Sequence, residues 1–195
     1  MPNEHLPDEQ HETQPRSVLG EIFLYSVIAM AIVLPVRIFI AQPFIVSGTS
    51  MVPTFEPRDY LVIDKVSYRM EEPKRGDVII FRYPLDARVF FVKRIIGLPG
   101  ERVRIEDNVV TIEQSDGTSF TLDEPYLHEV KTKSANVVTK LSDKEYFVMG
   151  DNRPASSDSR VWGQLHERFI IGRAFTRLFP FSNVTLYPGT HTFSE

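Results

Sequence analysis

The sequence predicts a mainly β protein, built from antiparallel β-sheets, that follows one N-terminal membrane-spanning helix. From about residue 60 onward, short runs rich in β-branched and aromatic residues recur, some apolar and some alternating. Turn signals separate these runs, among them Asp107-Asn108, a two-residue sequence that suits a hairpin. A single long apolar segment precedes them, and its length approaches the thickness of a bilayer.

The N-terminal segment predicts a polar tail followed by a transmembrane helix. Residues 1–17 are polar and acidic and contain three prolines, so we expect a disordered tail there. An apolar run begins at Ile22 and extends to Ile40, 19 residues in all. As a helix it would measure about 28 Å, against about 30 Å for the hydrocarbon core of a bilayer. We therefore expect a transmembrane helix over residues 18–40.

A cleavable signal sequence and a buried amphipathic helix are the two alternatives to a membrane span. A cleavable signal sequence has a basic start and small residues at its cleavage site, whereas an acidic tail and bulky residues flank this segment. A buried amphipathic helix is the other alternative. Arg16 on one side and Arg37 and Arg58 on the other do not orient the segment by charge.

The remaining chain predicts short strands in two regions. We expect a catalytic β core over residues 41–101 and 142–190, and a small β insert over residues 102–141. The expected strands are Tyr60–Val66, Val78–Tyr83, Val89–Ile96, Arg102–Glu106, Val109–Glu113, Ser119–Leu122, Tyr146–Met149 and Ile170–Phe179. A single helical turn is expected around Trp162–Leu165.

Composition excludes several classes of site. A net charge of −4 and a pI near 5.8 argue against a nucleic-acid partner. There are no cysteines, and the five histidines have no metal-site spacing, so neither a metal site nor a His-based triad is expected. We expect His128 and His166 in surface or packing roles, His166 within a helical turn. No organic cofactor is expected either.

Lys93 is the residue that points most directly to chemistry. In a strand over Val89–Ile96, side chains alternate between faces, so Lys93 shares a face with Phe91 and Ile95. Burial on that apolar face would disfavour the ammonium form and lower the lysine pKa from about 10.4. A neutral amine can act as a general base, unless the side chain extends out to water.

Ser50 is the hydroxyl that such a base would activate. It lies in Ser47-Gly48-Thr49-Ser50, where an apolar run breaks before Met51-Val52-Pro53. Gly48 permits a tight turn, and Pro53 biases Val52 away from helix, so a hydroxyl on a rigid turn is expected. The apolar side chains around it either face a membrane or fill the core, and for Met51 and Phe55 the sequence leaves both open.

Four strings of residues carry a resemblance to a known family. They are Ser50-Met51-Val52-Pro53-Thr54, Gly76-Asp77-Val78-Ile79, Lys93 to Glu101, and Gly150 to Arg160, which reads Gly-Asp-Asn-Arg-Pro-Ala-Ser-Ser-Asp-Ser-Arg. In this order and spacing the chain resembles bacterial type I signal peptidases, membrane-anchored serine proteases with a Ser–Lys dyad. The resemblance covers residues 34–101 and 143–175.

The resemblance implies a role for each matching residue. Ser50 matches the nucleophile, and its backbone N–H one donor to the oxyanion. Lys93 matches the general base, and Ser156 the hydroxyl that hydrogen-bonds and orients its amine. Asp158 and Arg160 match an ion pair that braces the site. The positions expected to contact substrate are Phe44, Val46, Met51, Phe91 and Val92, with the first two lining shallow pockets for small P1 and P3 residues.

The chain departs from the family pattern at two positions. Some members carry a serine where this chain has Gly48, and that side chain supplies the second oxyanion donor. Here Ser47 or Thr49 could replace it, although neither aligns with that position. Phe91 stands where tyrosine is more usual, which removes a polar tip.

The function implied is removal of signal peptides from exported preproteins, with the catalytic domain outside the cytoplasm. Two alternatives remain. One is a specialised or self-cleaving Ser–Lys peptidase, although cytosolic self-cleaving relatives carry a DNA-binding module and lack a membrane span. The other is a membrane-tethered β-domain that binds signal peptides without cutting them, although such a protein would be expected to lose Ser50, Lys93 or Ser156.

Overall fold

The structure, a computed structural model, describes residues 18–35, 41–127 and 136–193. The expected tail over residues 1–17, the end of the expected span at residues 36–40, and His128 lie outside the described residues.

The N-terminal apolar segment forms a single helix, α1, over Val18–Pro35. Its 18 residues correspond to about 27 Å, close to the thickness of a bilayer core. None of its residues is buried against the rest of the protein. A buried amphipathic helix is therefore excluded, because such a helix would hide an apolar face in the core.

A large antiparallel sheet follows the helix. Its eight strands run in the order β1-β2-β11-β3-β4-β9-β10, with β12 paired to β11. The strands are β1 (Ala41–Ile45), β2 (Tyr60–Asp64), β3 (Val78–Tyr83), β4 (Asp86–Gly97), β9 (Glu145–Met149), β10 (Leu165–His166), β11 (Ile170–Phe179) and β12 (Thr185–Leu186). The two central neighbours β3 and β4 form a hairpin in which Ile79 pairs with Lys93.

A second antiparallel sheet of four strands lies between β4 and β9 in sequence, in the order β7-β6-β5-β8. Its strands are β5 (Arg102–Glu106), β6 (Val109–Glu113), β7 (Ser119–Thr121) and β8 (Val137–Lys140). Asp107 and Asn108, both with positive φ, form the turn between β5 and β6. The predicted fold class, mainly β and antiparallel after an apolar helix, is confirmed.

One predicted element is wrong. The chain forms a short helix, α2, over Ser159–Trp162, before the expected helical turn. Gly163, with φ +90°, ends this helix, because glycine adopts that conformation without steric cost. Leu165 and His166 then pair with β9 as strand β10. His166 also caps the 3-10 helical turn Glu167–Phe169, where its Nδ1 accepts a hydrogen bond of 3.2 Å from Arg168 N–H, so a helical turn does open at His166.

Candidate active site

The Ser50 turn is held between β1 and β2. Val46 N–H donates to the Asp59 carbonyl at 2.9 Å, and Arg58 N–H donates to the Val46 carbonyl at 2.9 Å, which ties the two ends of the turn together. Gly48 has φ +91°, a value that side chains other than glycine rarely adopt. The turn leaves the Ser50 side chain partly exposed beside an apolar wall.

Lys93 projects from β4 toward this turn. The residue is 3% exposed, although it carries an amine. Its Nζ lies 2.7 Å from Ser50 Oγ and donates a hydrogen bond to it, and a second hydrogen bond, 2.9 Å long, goes to the Val92 carbonyl. The amine also lies 5.0 Å from the centre of the Phe91 ring. The sheet therefore brings together two side chains that are 43 positions apart in sequence.

Burial determines the protonation of this amine. Desolvation lowers the pKa of Lys93 from 10.5 to about 8, although Asp158 and Asp151 act against the shift through their negative charges. The positive charge of Arg160 adds to the lowering. A substantial fraction of the amine is therefore neutral near pH 8, which is the form able to accept a proton.

The segment Gly150–Arg153, here named the 150–153 loop, supports the Ser50 turn from the other side. Asn152 N–H donates to the Ser50 carbonyl at 3.0 Å, and Asn152 Nδ2 donates to the Thr49 carbonyl at 3.0 Å. A Cβ atom at Gly150 would overlap with the Ser50 carbonyl oxygen and would lie 2.7 Å from Ser156 Cβ. The loop thus approaches the turn so closely that only glycine fits at this position.

Asp158 and Arg160 form a buried ion pair next to this loop. Arg160 Nε and a terminal nitrogen each donate to the Asp158 carboxylate at 2.8 Å. Gly150 N–H donates to the same carboxylate at 3.0 Å. Burial alone would raise the pKa of Asp158, but the hydrogen bonds and charge of Arg160, with a further hydrogen bond from Gly150, lower it below its usual 3.8. Asp158 is therefore ionised at neutral pH.

The structure does not give Ser156 the hydrogen bond that the resemblance implies. Ser156 Oγ is buried, and it makes no hydrogen bond of ordinary geometry to any described residue. It lies beside the Asp158 carboxylate and against Gly150. The contacts of Lys93 Nζ within hydrogen-bond distance are instead to Ser50 Oγ and to the Val92 carbonyl. In the neutral form of the amine, Ser50 O–H donates to the lone pair of Nζ and one amine N–H donates to the Val92 carbonyl.

An open cleft of about 390 Å³ runs past the two side chains. Four of the expected substrate-contacting residues line it, namely Phe44, Val46, Phe91 and Val92. It is also lined by residues that sequence reasoning did not select: Ile45, Leu61, Ile80, Phe90, Ala155 and Ser157. The Phe44 and Phe90 rings meet edge to face at 5.4 Å, so aromatic surface forms part of the wall.

Met51 is a correction to the expected cleft residues. It is 1% exposed and packs in the core with Val46, Phe55 and Leu61, and it does not line the cleft. The reason is the turn itself, in which Phe55 N–H donates to the Met51 carbonyl and the chain curls back over the sheet. Phe55 is likewise completely buried. Both side chains therefore fill the core and do not face a membrane.

Sequence reasoning missed a second buried ion pair near the site. Arg94 and Asp151 have side chains 1% and 0% exposed, and two of their hydrogen bonds measure 2.9 and 2.6 Å. Arg94 lies in the Lys93–Glu101 motif and Asp151 in the Gly150–Arg160 motif, but the sequence assigned no role to either residue. The position of Arg94 could have predicted this pair, because an arginine that is buried within an apolar strand rarely lacks a carboxylate partner.

The arrangement of Ser50 and Lys93 is suited to activating the Ser50 hydroxyl as a nucleophile. A partly exposed serine contacts a buried amine of lowered pKa, and both face a largely apolar cleft. Among residues 18–35, 41–127 and 136–193, no group of three or more histidine, aspartate or glutamate side chains could hold a metal ion.

Comparisons with known proteins point to one family. The chain matches the family described as "Signal peptidase, peptidase S26" over residues 19–179. It is 39% identical over 175 residues to the probable signal peptidase I-1 of Synechocystis sp., covering 86% of this chain and 86% of that protein. It is 33% identical over 186 residues to the signal peptidase I of Bacillus licheniformis, covering 90% of this chain and 97% of that protein.

One solved structure is also similar. It is a crystal structure of a signal peptidase I from Enterococcus faecalis V583, 30% identical in sequence, with a TM-score of 0.46. The match covers 53% of this chain and 97% of that chain.

Proposed function

The chain belongs to the signal peptidase family, peptidase S26, as the resemblance predicted, and on that premise we propose that it is a membrane-anchored endopeptidase that removes N-terminal signal peptides from exported preproteins. Ser50 is the nucleophile and Lys93 the general base. The observation that carries the assignment of these roles is the 2.7 Å distance between Lys93 Nζ and Ser50 Oγ.

The proposed reaction uses the two side chains in turn. The neutral Lys93 amine takes the proton of Ser50 as Oγ attacks the scissile carbonyl, and returns that proton to the leaving amine. The acyl group is then held as an ester on Ser50. Water attacks the ester with Lys93 again as base, which frees the serine. The chemistry requires no metal and no organic cofactor.

The tetrahedral intermediates need hydrogen-bond donors for their oxyanion. The Ser50 backbone N–H is one such donor in the proposed mechanism, as the resemblance implies. Each donor is typically worth about 2.7–4 kcal/mol in the transition state. Gly48 has no side chain to offer, and its neighbours Ser47 and Thr49 carry hydroxyls in the exposed turn that borders the cleft.

The walls of the cleft support a preference for small apolar residues at the substrate's P1 and P3 sites. Phe44, Val46 and Val92 contribute apolar surface, and the Phe44 and Phe90 rings pack edge to face in the same wall. A substrate segment with alanine at these positions would fill the pockets without displacing an aromatic ring. Larger side chains would have to push these rings apart.

The membrane proposal rests on α1 and on the exposed apolar surface of the large sheet. Ile45 pairs with Tyr60, and Tyr60 pairs with Phe179, so the three residues form a row across neighbouring strands. Ile45 is 66% exposed, Phe179 is 49% exposed, and the Phe179 ring contacts Phe181, which is 82% exposed. This surface suits contact with a bilayer, and we propose that the catalytic domain lies on the extracytoplasmic side of the plasma membrane.

The proposal is tested by cleavage of a preprotein with the full-length chain in detergent. Ser50→Ala and Lys93→Ala should each abolish processing, because either change removes one member of the pair that transfers the proton. Both variants should remain folded by circular dichroism. Lys144→Ala is the matched control, since Lys144 is exposed, pairs with Glu167 and does not line the cleft, and this variant should process the preprotein at the wild-type rate.

Other outcomes would favour the alternatives. Cleavage by a folded Lys93→Ala variant would refute the Ser–Lys pair. Shortening of the enzyme itself, with the preprotein left intact, would indicate a self-cleaving peptidase. Failure of an acylating serine probe to label Ser50 in the wild-type protein would indicate a binding domain without activity.

A further inference from the structure

Glu124 lies in the segment that follows β7 of the small sheet, and it contacts the 150–153 loop beside the active site. Its side chain is 8% exposed and faces Arg153, whose side chain is 5% exposed. Both terminal nitrogens of Arg153 donate to the Glu124 carboxylate, one of them at 3.0 Å. Tyr126 OH donates to the same carboxylate at 2.7 Å. The carboxylate is therefore fully engaged, and it is the counter-charge of a buried arginine.

Arg153 transmits this contact to two groups of the active site. Its Nε donates to the Gly150 carbonyl at 3.1 Å, which closes the 150–153 loop on itself. Its own carbonyl accepts a hydrogen bond of 2.7 Å from Arg160, the partner of Asp158. A guanidinium is a rigid planar donor, so fixing its far end by a carboxylate also fixes its Nε.

The 150–153 loop in turn fixes the nucleophile. Asn152 N–H donates to the Ser50 carbonyl, and a Cβ at Gly150 would overlap that same oxygen. A movement of the loop by a fraction of an ångström would therefore move the Ser50 backbone. Displacements of about 1 Å can cost about a hundredfold in rate when a reacting group is involved.

The segment that carries Glu124 also contacts Arg94, which binds the loop at a second point. The Arg94 guanidinium lies 3.8 Å from the centre of the Tyr126 ring, and Arg94 pairs with Asp151 of the loop. Arg153 and Arg94, the two buried arginines that bind the loop, thus contact Glu124 and Tyr126 respectively. Burial alone would lower the pKa of Arg153, whereas the charge and hydrogen bonds of Glu124 raise it, so the guanidinium stays charged.

We propose that Glu124 is a positioning residue for catalysis, which acts through Arg153 to hold the 150–153 loop against the Ser50 main chain. Glu124 touches neither the substrate cleft nor the Ser50–Lys93 pair. This role of Glu124 rests on the proposed function. Glu124 lies outside the motifs that carry the resemblance. Because its effect is on the geometry of the nucleophile, the loss of Glu124 should lower kcat and leave KM unchanged.

The test compares two isosteric substitutions in the full-length chain. Glu124→Gln removes the counter-charge of Arg153. Glu101→Gln is the matched control, because Arg75 and Glu101 are another buried pair, with side chains 3% and 8% exposed and hydrogen bonds of 2.8 and 2.6 Å. That pair contacts the Ile96 carbonyl and Leu98 N–H, outside the 150–153 loop. Both variants should lose stability, since each removes the negative charge that faces a buried arginine.

Two readouts separate positioning from stability. Hydrogen exchange of the Asn152 amide reports the Asn152–Ser50 contact without any substrate, and Glu124→Gln should speed it by at least about tenfold. Cleavage of a peptide with alanine at P1 and P3 should show kcat reduced by at least about tenfold, with KM within about twofold of wild type. Glu101→Gln should leave both quantities within about twofold when assayed at a temperature where it is folded.

The inference is overturned if Glu124→Gln leaves both the Asn152 exchange rate and kcat near wild type. It is also overturned if Glu124→Gln raises KM without lowering kcat, or if Glu101→Gln lowers kcat by the same factor. Should Glu124→Gln not fold, Glu124→Asp keeps the charge but is one methylene shorter. It should show the same changes at smaller size, and wild-type behaviour would reject the inference. A wild-type protein that cuts no signal peptide would refute the proposed function, and Asn152 exchange would still decide the role of Glu124.

Discussion

At the scale of single residues, the protonation of Lys93 sets the conditions under which the proposed base is available. The amine is 3% exposed, and desolvation lowers its pKa to about 8. Asp158 and Asp151 keep the pKa from falling further. The same buried carboxylates that brace the loop therefore also tune the base.

We expect kcat/KM to rise about tenfold per pH unit below pH 8 and to level off above it, because only the neutral amine can accept the Ser50 proton. The measurement is kcat/KM for a peptide substrate from pH 5 to about pH 10. A midpoint near 10.5, the ordinary value for lysine, would contradict a desolvated amine.

An independent check of the same titration is the free energy of unfolding. The pKa of Lys93 is lower in the folded state than in the unfolded state, so between about pH 8 and pH 10.5 the unfolded chain binds more protons. Stability should therefore rise through this range, by about 3 kcal/mol relative to Lys93→Met, whose side chain does not titrate. Denaturant unfolding of wild type and Lys93→Met at pH 7 and pH 10.5 measures how their difference in free energy of unfolding changes with pH. If that difference were the same at both pH values, burial would not lower the pKa of Lys93.

At the scale of elements, α1 and the β domain are joined in sequence but share no buried surface. No residue of α1 is buried, and its composition and length suit a bilayer. Ile45 and Phe179 of the large sheet are exposed, as is Phe181 just after β11, and all three suit the same environment. Anchoring and catalysis should therefore be separable.

A protein that begins at residue 41 should fold with an unchanged melting temperature, since the β core loses no packing contact with α1. It should cut a short soluble peptide at the wild-type rate but process a membrane-inserted preprotein poorly, because the anchor raises the effective concentration of the enzyme at the membrane. Replacing α1 by an unrelated apolar helix should restore processing. Loss of folding on removal of the helix would show that α1 belongs to the core.

At the scale of the whole molecule, the two sheets share one hydrophobic cluster. Ile96 and Phe147 of the large sheet pack in it with Val103 and Ile112 of the small sheet. All four are completely buried. The expected insert over residues 102–141 therefore contributes side chains to the interior next to β4 and β9, which supports treating both sheets as one unfolding unit.

Ile112→Ala should lower stability by about 2–5 kcal/mol and shift the loss of activity and the loss of circular dichroism to the same lower temperature. The control is Val138→Ala in β8, where the side chain is 56% exposed and little packing is lost. If Ile112→Ala lost part of its circular dichroism in a first thermal transition while its activity persisted, the small sheet would unfold as a separate unit.

Much of this protein follows from local sequence pattern. The strand over Val89–Ile96, with Lys93 on its apolar face, the apolar helix and the Asp107-Asn108 turn were all predicted, because they depend on side-chain periodicity, length and backbone preference of neighbouring residues. The motifs around Ser50 and Gly150 also predicted the family. The end of α2 at Gly163 and the pairing of Leu165 were missed, since a short strand has too few residues to show a period.

The sequence by itself determined eight of the twelve strands of the described residues, that one helix is apolar enough for a membrane, and that Ser50 and Lys93 are the reactive pair to examine. The tertiary structure alone decided that Met51 lies in the core, that Ser156 gives no hydrogen bond to the amine, and that Glu124 faces Arg153. These outcomes depend on contacts between segments distant in sequence, where burial and the choice among competing hydrogen-bond partners are settled only when the sheets pack together.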